Sequence, residues 1–131
     1  MLKKTVTYTD YDGVERTEDF YFNLTQAELV EMELGVEGGW RDRMQRIIDA
    51  KDAPTIMREF KRLLMASYGE KSDDGKRFIK SPEISEAFSQ TEAYNQIFME
   101  LVTDSKAASA FANGILPQNV KSRQDVVPAN K

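Results

Sequence analysis

The stretch IMREFKRLLMASYG, residues 56–69, decides the fold class of this chain. Its apolar residues return at steps of three and four, the spacing that puts side chains on one face of an α-helix. The residues on this stripe are Ile56, Met57, Phe60, Leu63, Leu64 and Tyr68. Gly69 follows at once, a position typical of a left-handed C-terminal cap. The pattern predicts an amphipathic helix at the centre of a helical core.

The same spacing recurs on both sides of this central helix. A charged loop over residues 70–80 leads to Ser81, a predicted N-cap, with Pro82 in the first helical turn. Thr25 and Glu28 form a capping box that starts an earlier helix, which ends at Gly35. The other predicted stripes are Trp40, Met44, Ile47 and Ile48, then Ile84, Ala87 and Phe88, then Tyr94, Ile97, Phe98, Leu101 and Val102, and finally Ala107, Ala108 and Phe111 after the N-cap Asp104.

The first 24 residues predict a β-hairpin, with apolar side chains alternating along Leu2–Thr9 and along Val14–Leu24. A two-residue turn would put the apolar residues of the two strands on opposite faces. A loop of residues 11–13 keeps them on one face, and it places Gly13 at a left-handed bulge position. It predicts the pairs Leu2–Phe22 and Val6–Glu18. Because two strands alone are marginal in water, the apolar face must lie on the helices or on another subunit's strand.

These elements predict an α+β fold, mostly α, in which an N-terminal β-hairpin precedes a bundle of about five or six helices. Residues 1–117 are expected to form a single globular domain, with the hairpin at 2–24 and the helical part at 25–117. From Gln118 the apolar pattern ends, and residues 118–131 are polar and contain Pro128. We predict a disordered C-terminal tail over residues 118–131.

Composition limits the classes of function. The chain has no cysteine and no histidine, so it lacks a thiolate and the commonest general base and metal ligand. A formal net charge of −4 gives no broad basic field for nucleic acid. No apolar run is long enough to span a membrane, and the N-terminus lacks the apolar segment of a signal peptide. We expect a soluble, cytoplasmic protein without a cofactor.

The best candidate for a charged site is Asp73-Asp74-Gly75-Lys76. Adjacent carboxylates attract hard cations, but Mg²⁺ and Ca²⁺ need several converging oxygens, and the EF-hand spacing is absent. A solvated turn with Gly75 at positive φ is the preferred interpretation. The sequence therefore predicts no catalytic, metal or cofactor-binding residues.

Partner surfaces are better candidates. Met65 and Met99 fall off the stripes of their helices, and exposed methionines suit adaptable binding surfaces. Filling the back of a multi-helix core is the alternative, and it stays open. Phe78 and Ile79, set between basic residues, are a second candidate, with an anchor of the loop on the body as the alternative. Our predicted partner-binding residues are thus Met65, Met99, Phe78 and Ile79.

Several short runs add a family resemblance. SYGEKS at residues 67–72, followed by DGKRFIKS at 74–81, resembles the tail assembly chaperones of long-tailed, siphovirus-type bacteriophages. Four other runs are similar to the same family: FNLT at 22–25, QTEAY at 90–94, FMEL at 98–101 and ILP at 115–117. The resemblance extends over residues 20–117.

The resemblance implies a non-catalytic protein of the host cell cytoplasm. Such a chaperone binds the tape-measure protein while tail-tube subunits assemble, and it is absent from the finished virion. The alternative is a structural tail or connector component that is present in the virion, with self-association through the hairpin. A small metal-dependent enzyme that uses Asp73 and Asp74 is a further alternative.

Overall fold

The architecture is given by a computed structural model that describes residues 1–34 and 39–117. Its elements in chain order are β1 (Leu2–Thr9), β2 (Glu15–Phe22), α1 (Gln26–Leu34), α2 (Trp40–Ala50), α3 (Ala53–Ser67), β3 (Tyr68–Lys71), β4 (Phe78–Ile79), α4 (Pro82–Ser89), α5 (Glu92–Thr103) and α6 (Ser105–Gly114). The strands form one antiparallel sheet in the order β1-β2-β3-β4. The predicted α+β fold, mostly α with an N-terminal hairpin, is confirmed.

The N-terminal hairpin has the predicted register. Leu2 pairs with Phe22 and Val6 pairs with Glu18. Asp10 closes the loop, since its N–H donates to the carbonyl of Val14 at 2.8 Å and its Oδ1 accepts the N–H of Val14 at 2.9 Å. Gly13 has φ 81°, the left-handed conformation that the three-residue loop requires. The second strand is shorter than predicted, because Val14 belongs to the loop and is exposed.

Replacing Gly13 with valine tests this loop. A Cβ at Gly13 would meet no atom within 4 Å, so the whole effect is backbone strain at positive φ. We expect the free energy of unfolding to fall by about 1–2 kcal/mol in urea denaturation. Tyr11→Phe, a change in the same loop at a residue that is 75% exposed, is the control; it removes only the exposed hydroxyl that donates to Glu92 Oε2 at 3.0 Å, with an expected change below about 0.5 kcal/mol. Equal stability of the Gly13 variant and the wild-type protein would show that the loop assignment is wrong.

The predicted N-caps are all present. Thr25 and Glu28 form the reciprocal capping box, with Glu28 Oε1 accepting the N–H of Thr25 at 2.8 Å and Thr25 Oγ1 accepting the N–H of Glu28 at 3.1 Å. Ser81 caps α4, Thr91 caps α5 and Asp104 caps α6 through side-chain oxygens. Each cap satisfies backbone donors that a helix start leaves free, which fixes where four of the helices begin.

Two sequence interpretations around Gly69 are wrong. Gly69 is not a left-handed cap, and residues 70–80 are not simply a loop. Helix α3 ends at Ser67, and Tyr68 and Gly69 continue as strand β3, paired with Phe22 and Tyr21 of β2. β3 then pairs with β4 through Glu70↔Ile79 and Lys71↔Phe78. The chain that leaves α3 thus pairs with the free side of β2. Sequence periodicity does not predict this pairing.

The core lies between the inner face of the sheet and the helices. Phe22 is fully buried, and its ring contacts those of Tyr68, Phe88 and Phe111, with centroids 5.3–5.8 Å away. The predicted helical stripes supply most of the remaining core, which includes Trp40, Met44, Ile48, Phe60, Leu63, Leu64, Ile97 and Leu101. The hairpin therefore rests on the helices of its own chain, one of the two arrangements expected from the sequence.

Met57 departs from its predicted place in the core. It belongs to the stripe of α3 by spacing, yet 43% of its surface is exposed. The predicted helix end at Gly35 lies outside the described residues, as does the predicted disordered tail at 118–131.

Candidate partner-binding site

Phe78 and Ile79, two of the predicted partner-binding residues, form strand β4 and are half-buried. The Phe78 ring covers Gly69, since a Cβ on Gly69 would lie 2.6 Å from Phe78 Cε2. The carbonyl oxygen of Ile79 would lie 2.8 Å from the same Cβ on Gly69. These contacts match the alternative interpretation, in which Phe78 and Ile79 anchor this segment on the body of the domain.

Met65 lies on α3 and is half-buried. Its carbonyl accepts a hydrogen bond from Ser85 Oγ at 3.0 Å, which ties the end of α3 to α4. Half-burial of Met65 does not choose between the two alternatives that the sequence left open, a core residue and an interface residue.

Met99 is different, because 48% of its surface is exposed on α5. The buried residues of that helix are Ala93, Ile97 and Leu101, so Met99 lies on another face. Met57, which the sequence interpretation placed in the core, is exposed to a similar extent. The described residues thus include two half-exposed methionines on two helices, α3 and α5.

A groove of about 260 Å³ with both apolar and polar lining residues lies where α3 and α5 meet α2 and α6. We call it the α3–α5 groove; its lining residues are Ile48, Lys51, Ala53, Ile56, Leu101, Val102, Thr103, Ser105 and Ala108. Met57 is four residues after Ala53, and Met99 is three residues before Val102. Residues three and four apart are neighbours on a helix surface. Neither methionine lines the groove itself, but each lies about one helical turn from a lining residue of its own helix.

The floor and the rim of the α3–α5 groove differ. Ile48, Leu101 and Ala108 are buried, so the floor is closed by packed core. Ile56 and Val102 are half-buried and leave apolar surface open to a partner. Lys51 is the one charged residue among those that line it.

A buried carboxylate connects α2 and α3, two of the helices that line this groove. Glu59 of α3 accepts a hydrogen bond from Arg43 of α2 at 3.0 Å, and its side chain is only 8% exposed. Arg62 lies 3.4 Å and Arg58 4.0 Å from the same carboxylate. The hydrogen bond from Arg43 lowers the pKa of Glu59 against the opposing effect of burial. Because α2 carries Ile48 and ends at the C-cap Lys51, this ion pair also positions one wall of the groove.

The Asp73-Asp74-Gly75-Lys76 segment is the turn between β3 and β4. Gly75 has φ 74°, and Asp74 Oδ1 accepts from Ser72 Oγ at 2.7 Å and from the N–H of Lys76 at 3.0 Å. These two hydrogen bonds lower the pKa of Asp74. Within residues 1–34 and 39–117, no three acidic side chains converge as a cation site would require.

Sequence reasoning identified Met99 as lying off its helical stripe, but it placed Met57 in the core and did not predict the groove. Met57 has the spacing of a core residue, yet it is 43% exposed. The groove combines residues of α2, α3, α5 and α6, which no local pattern connects. The off-stripe position of Met99 was the one local indication of a surface nearby.

Comparison with known protein families shows which family this chain belongs to. A family model described as phage tail assembly chaperone matches residues 1–130. The chain belongs to this family. The match includes the hairpin and residues 118–130, so it extends well beyond the segment that carried the resemblance. Neither a curated protein nor a solved structure matches the chain.

Membership in the phage tail assembly chaperone family places the action of this protein in the infected host cell. In the part of the chain that the structure describes, no helix is long and apolar enough to cross a membrane. The family is defined by assistance to assembly, so the candidate site to consider is a protein-binding surface.

Proposed function

We propose that this tail assembly chaperone binds the tape-measure protein in the host cytoplasm, without catalysing a reaction, while tail-tube subunits assemble around it. The observation that carries the proposal is the α3–α5 groove, with an exposed methionine about one helical turn away on each of the two helices. An amphipathic helix of the partner would place its apolar face in this groove. Flexible methionine side chains adapt to several helical sequences, which suits a binder of a long protein.

Co-expression tests this function. The tape-measure protein of the same phage is expressed alone and together with the tagged chaperone. We expect the soluble fraction of the tape-measure protein to rise only in co-expression, and the two proteins to co-purify. Failure of both, together with the presence of this chain in purified virions, would favour a structural tail component instead.

The double variant Met57→Asp/Met99→Asp tests the groove. Burying a methionine in an interface is worth about 1.5–3 kcal/mol, and about 1.4 kcal/mol corresponds to a tenfold change in affinity. We expect co-purification of the tape-measure protein to fall at least about tenfold, with the circular dichroism spectrum and the melting temperature little changed. Ala87→Asp/Ala110→Asp adds the same two negative charges at exposed positions of α4 and α6 that do not line the groove, and it should bind as the wild-type protein does.

Met65 serves as a second comparison. Its side chain is half-buried, so Met65→Asp should lower the melting temperature, because an unpaired carboxylate is costly to bury. Loss of binding by this variant would therefore report on folding. Wild-type binding by the double variant would contradict the α3–α5 groove as the site, even if the tape-measure protein is the partner.

A further inference from the structure

One edge of the sheet is left open beside β2. The pairing of β2 with β3 is limited to Tyr21↔Gly69 and Phe22↔Tyr68, and it continues only into the bond from Asn23 N–H to the carbonyl of Ser67, at 2.8 Å. Beyond this point β3 turns away to pair with β4. In the described part of the chain, residues 15–19 of β2 have no strand on this side.

The register tells which backbone groups face the open edge. The bond from Asp10 N–H to Val14 shows that even-numbered residues of the hairpin exchange the hydrogen bonds between β1 and β2. The bond from Asn23 N–H to Ser67 shows that odd-numbered residues of this segment face the other way. The N–H and C=O groups of Glu15, Thr17 and Asp19 therefore point to the open edge, which is a template for another strand.

A cleft adjoins this edge where β2 and β3 separate. Phe20 and Tyr68 lie at its base, and Tyr68 is 9% exposed with its ring stacked on Phe88 at 4.0 Å. The Tyr68 hydroxyl has no hydrogen-bond partner among residues 1–34 and 39–117, although buried hydroxyls normally have one. Burial raises its pKa, and the nearby carboxylates of Glu70 and Glu18 raise it further.

The Phe20–Tyr68 face of the cleft is acidic. Three carboxylates line it, those of Glu18, Glu70 and Glu83, whereas Asp19 points to the opposite face and accepts from Thr5 Oγ1. Glu18 also accepts from the Tyr8 hydroxyl at 2.6 Å, and Arg16 Nη1 lies 3.8 Å from the same carboxylate. Lys71 Nζ lies 4.5 Å from the centre of the Tyr21 ring. Tyr21 and Phe20 are consecutive in β2 and point to opposite faces, so this lysine is not placed over the Phe20–Tyr68 face of the cleft.

We propose that the open edge of β2 and this cleft together bind an extended segment of a partner polypeptide that carries lysine or arginine. The segment would add a strand beside Glu15, Thr17 and Asp19. Its alternate side chains would face the cleft, where a cation pairs with Glu18 and Glu70. This surface is separate from the α3–α5 groove, so the inference holds whether or not the tape-measure protein is the partner.

The test is fluorescence anisotropy of a labelled peptide of alternating valine and lysine, seven residues long, titrated with the purified full-length chain. We expect saturable binding that weakens at least about tenfold in the Glu18→Gln/Glu70→Gln variant, because two charge-assisted contacts are lost. Thr17→Pro removes an outward N–H without changing the charge, and it should weaken binding by a similar factor of about ten. Thr17→Val keeps the N–H and should bind within about twofold of the wild type.

Controls separate strand addition from simple charge attraction. A peptide with the same lysines but proline in place of alternate valines cannot pair along the edge, and it should not bind. Equal binding of that peptide, or no binding of the valine–lysine peptide, would overturn the proposal. A dimer of the wild-type chain that Thr17→Pro abolishes would identify a second copy as the occupant, and it would overturn the proposal as well.

Hydrogen exchange on the wild-type protein keeps the test decisive if Thr17→Pro does not fold. The peptide should slow exchange of the Thr17 and Asp19 amides, which face the open edge. Unchanged exchange at both amides with the peptide bound would show that it binds elsewhere.

Discussion

Replacing Phe22 with alanine is expected to lower the free energy of unfolding by about 3–5 kcal/mol. Phe22 has no exposed surface, and its ring contacts rings from β3, α4 and α6. Removing it leaves a cavity at the point where the sheet meets two helices. The expected loss is a large part of the roughly 5–15 kcal/mol that stabilises a typical domain.

Urea denaturation followed by circular dichroism measures this effect. Tyr11→Ala removes an aromatic ring that is 75% exposed and its hydroxyl's solvent-exposed hydrogen bond to Glu92, and it should change the free energy of unfolding by less than about 1 kcal/mol. A loss at Phe22 as small as the loss at Tyr11 would mean that the ring is not at the centre of the core.

Gly69→Ala is expected to destabilise the protein by about 1–3 kcal/mol, although it adds a single methyl group. The new Cβ would lie 2.6 Å from Phe78 Cε2 and 2.8 Å from the Ile79 carbonyl oxygen. The ring can rotate away, but the carbonyl belongs to the strand pair of β3 and β4. The variant must therefore shift β4 or break its pairing.

Gly114→Ala is the matched control for Gly69→Ala. Its Cβ would meet a Leu2 methyl group at 3.0 Å, the end of a side chain that can move. We expect near-wild-type stability for this variant. The double variant Gly69→Ala/Phe78→Ala separates the clash with the ring from the clash with the carbonyl, since only the first is relieved. If Gly69→Ala is as stable as Gly114→Ala, the close approach of β4 to Gly69 is contradicted.

Local chemistry made much of the fold predictable from sequence. The parity of the apolar residues selected the three-residue loop at Gly13, and a register shift by one residue would have turned Val6 to solvent. Side-chain oxygens at Thr25, Ser81, Thr91 and Asp104 located four helix starts. These features depend on residues that are close in sequence or on the same strand pair.

The errors arose where distant segments meet. A glycine after an amphipathic helix is equally typical of a left-handed cap and of a close backbone approach, and Gly69 is the second kind. β4 has two residues, Phe78 and Ile79, which is too short for an alternating pattern. Of the candidate binding residues, Met99 was recognised as off its helical stripe. Met57 was not, because its exposure depends on how the helices pack.

The pairing of Phe22 with Tyr68 has a consequence for the order in which the chain folds. The N-terminal hairpin closes a loop of three residues, whereas the β2–β3 pair joins segments that are separated by the whole of α1, α2 and α3. Closing the longer loop costs more chain entropy, and its contacts form later. Leu24 makes a still longer-range contact, because its N–H donates to the carbonyl of Ile115 at 3.0 Å. During synthesis the hairpin can form early, but its apolar face is not completely covered until the ribosome has released α6 with Phe111.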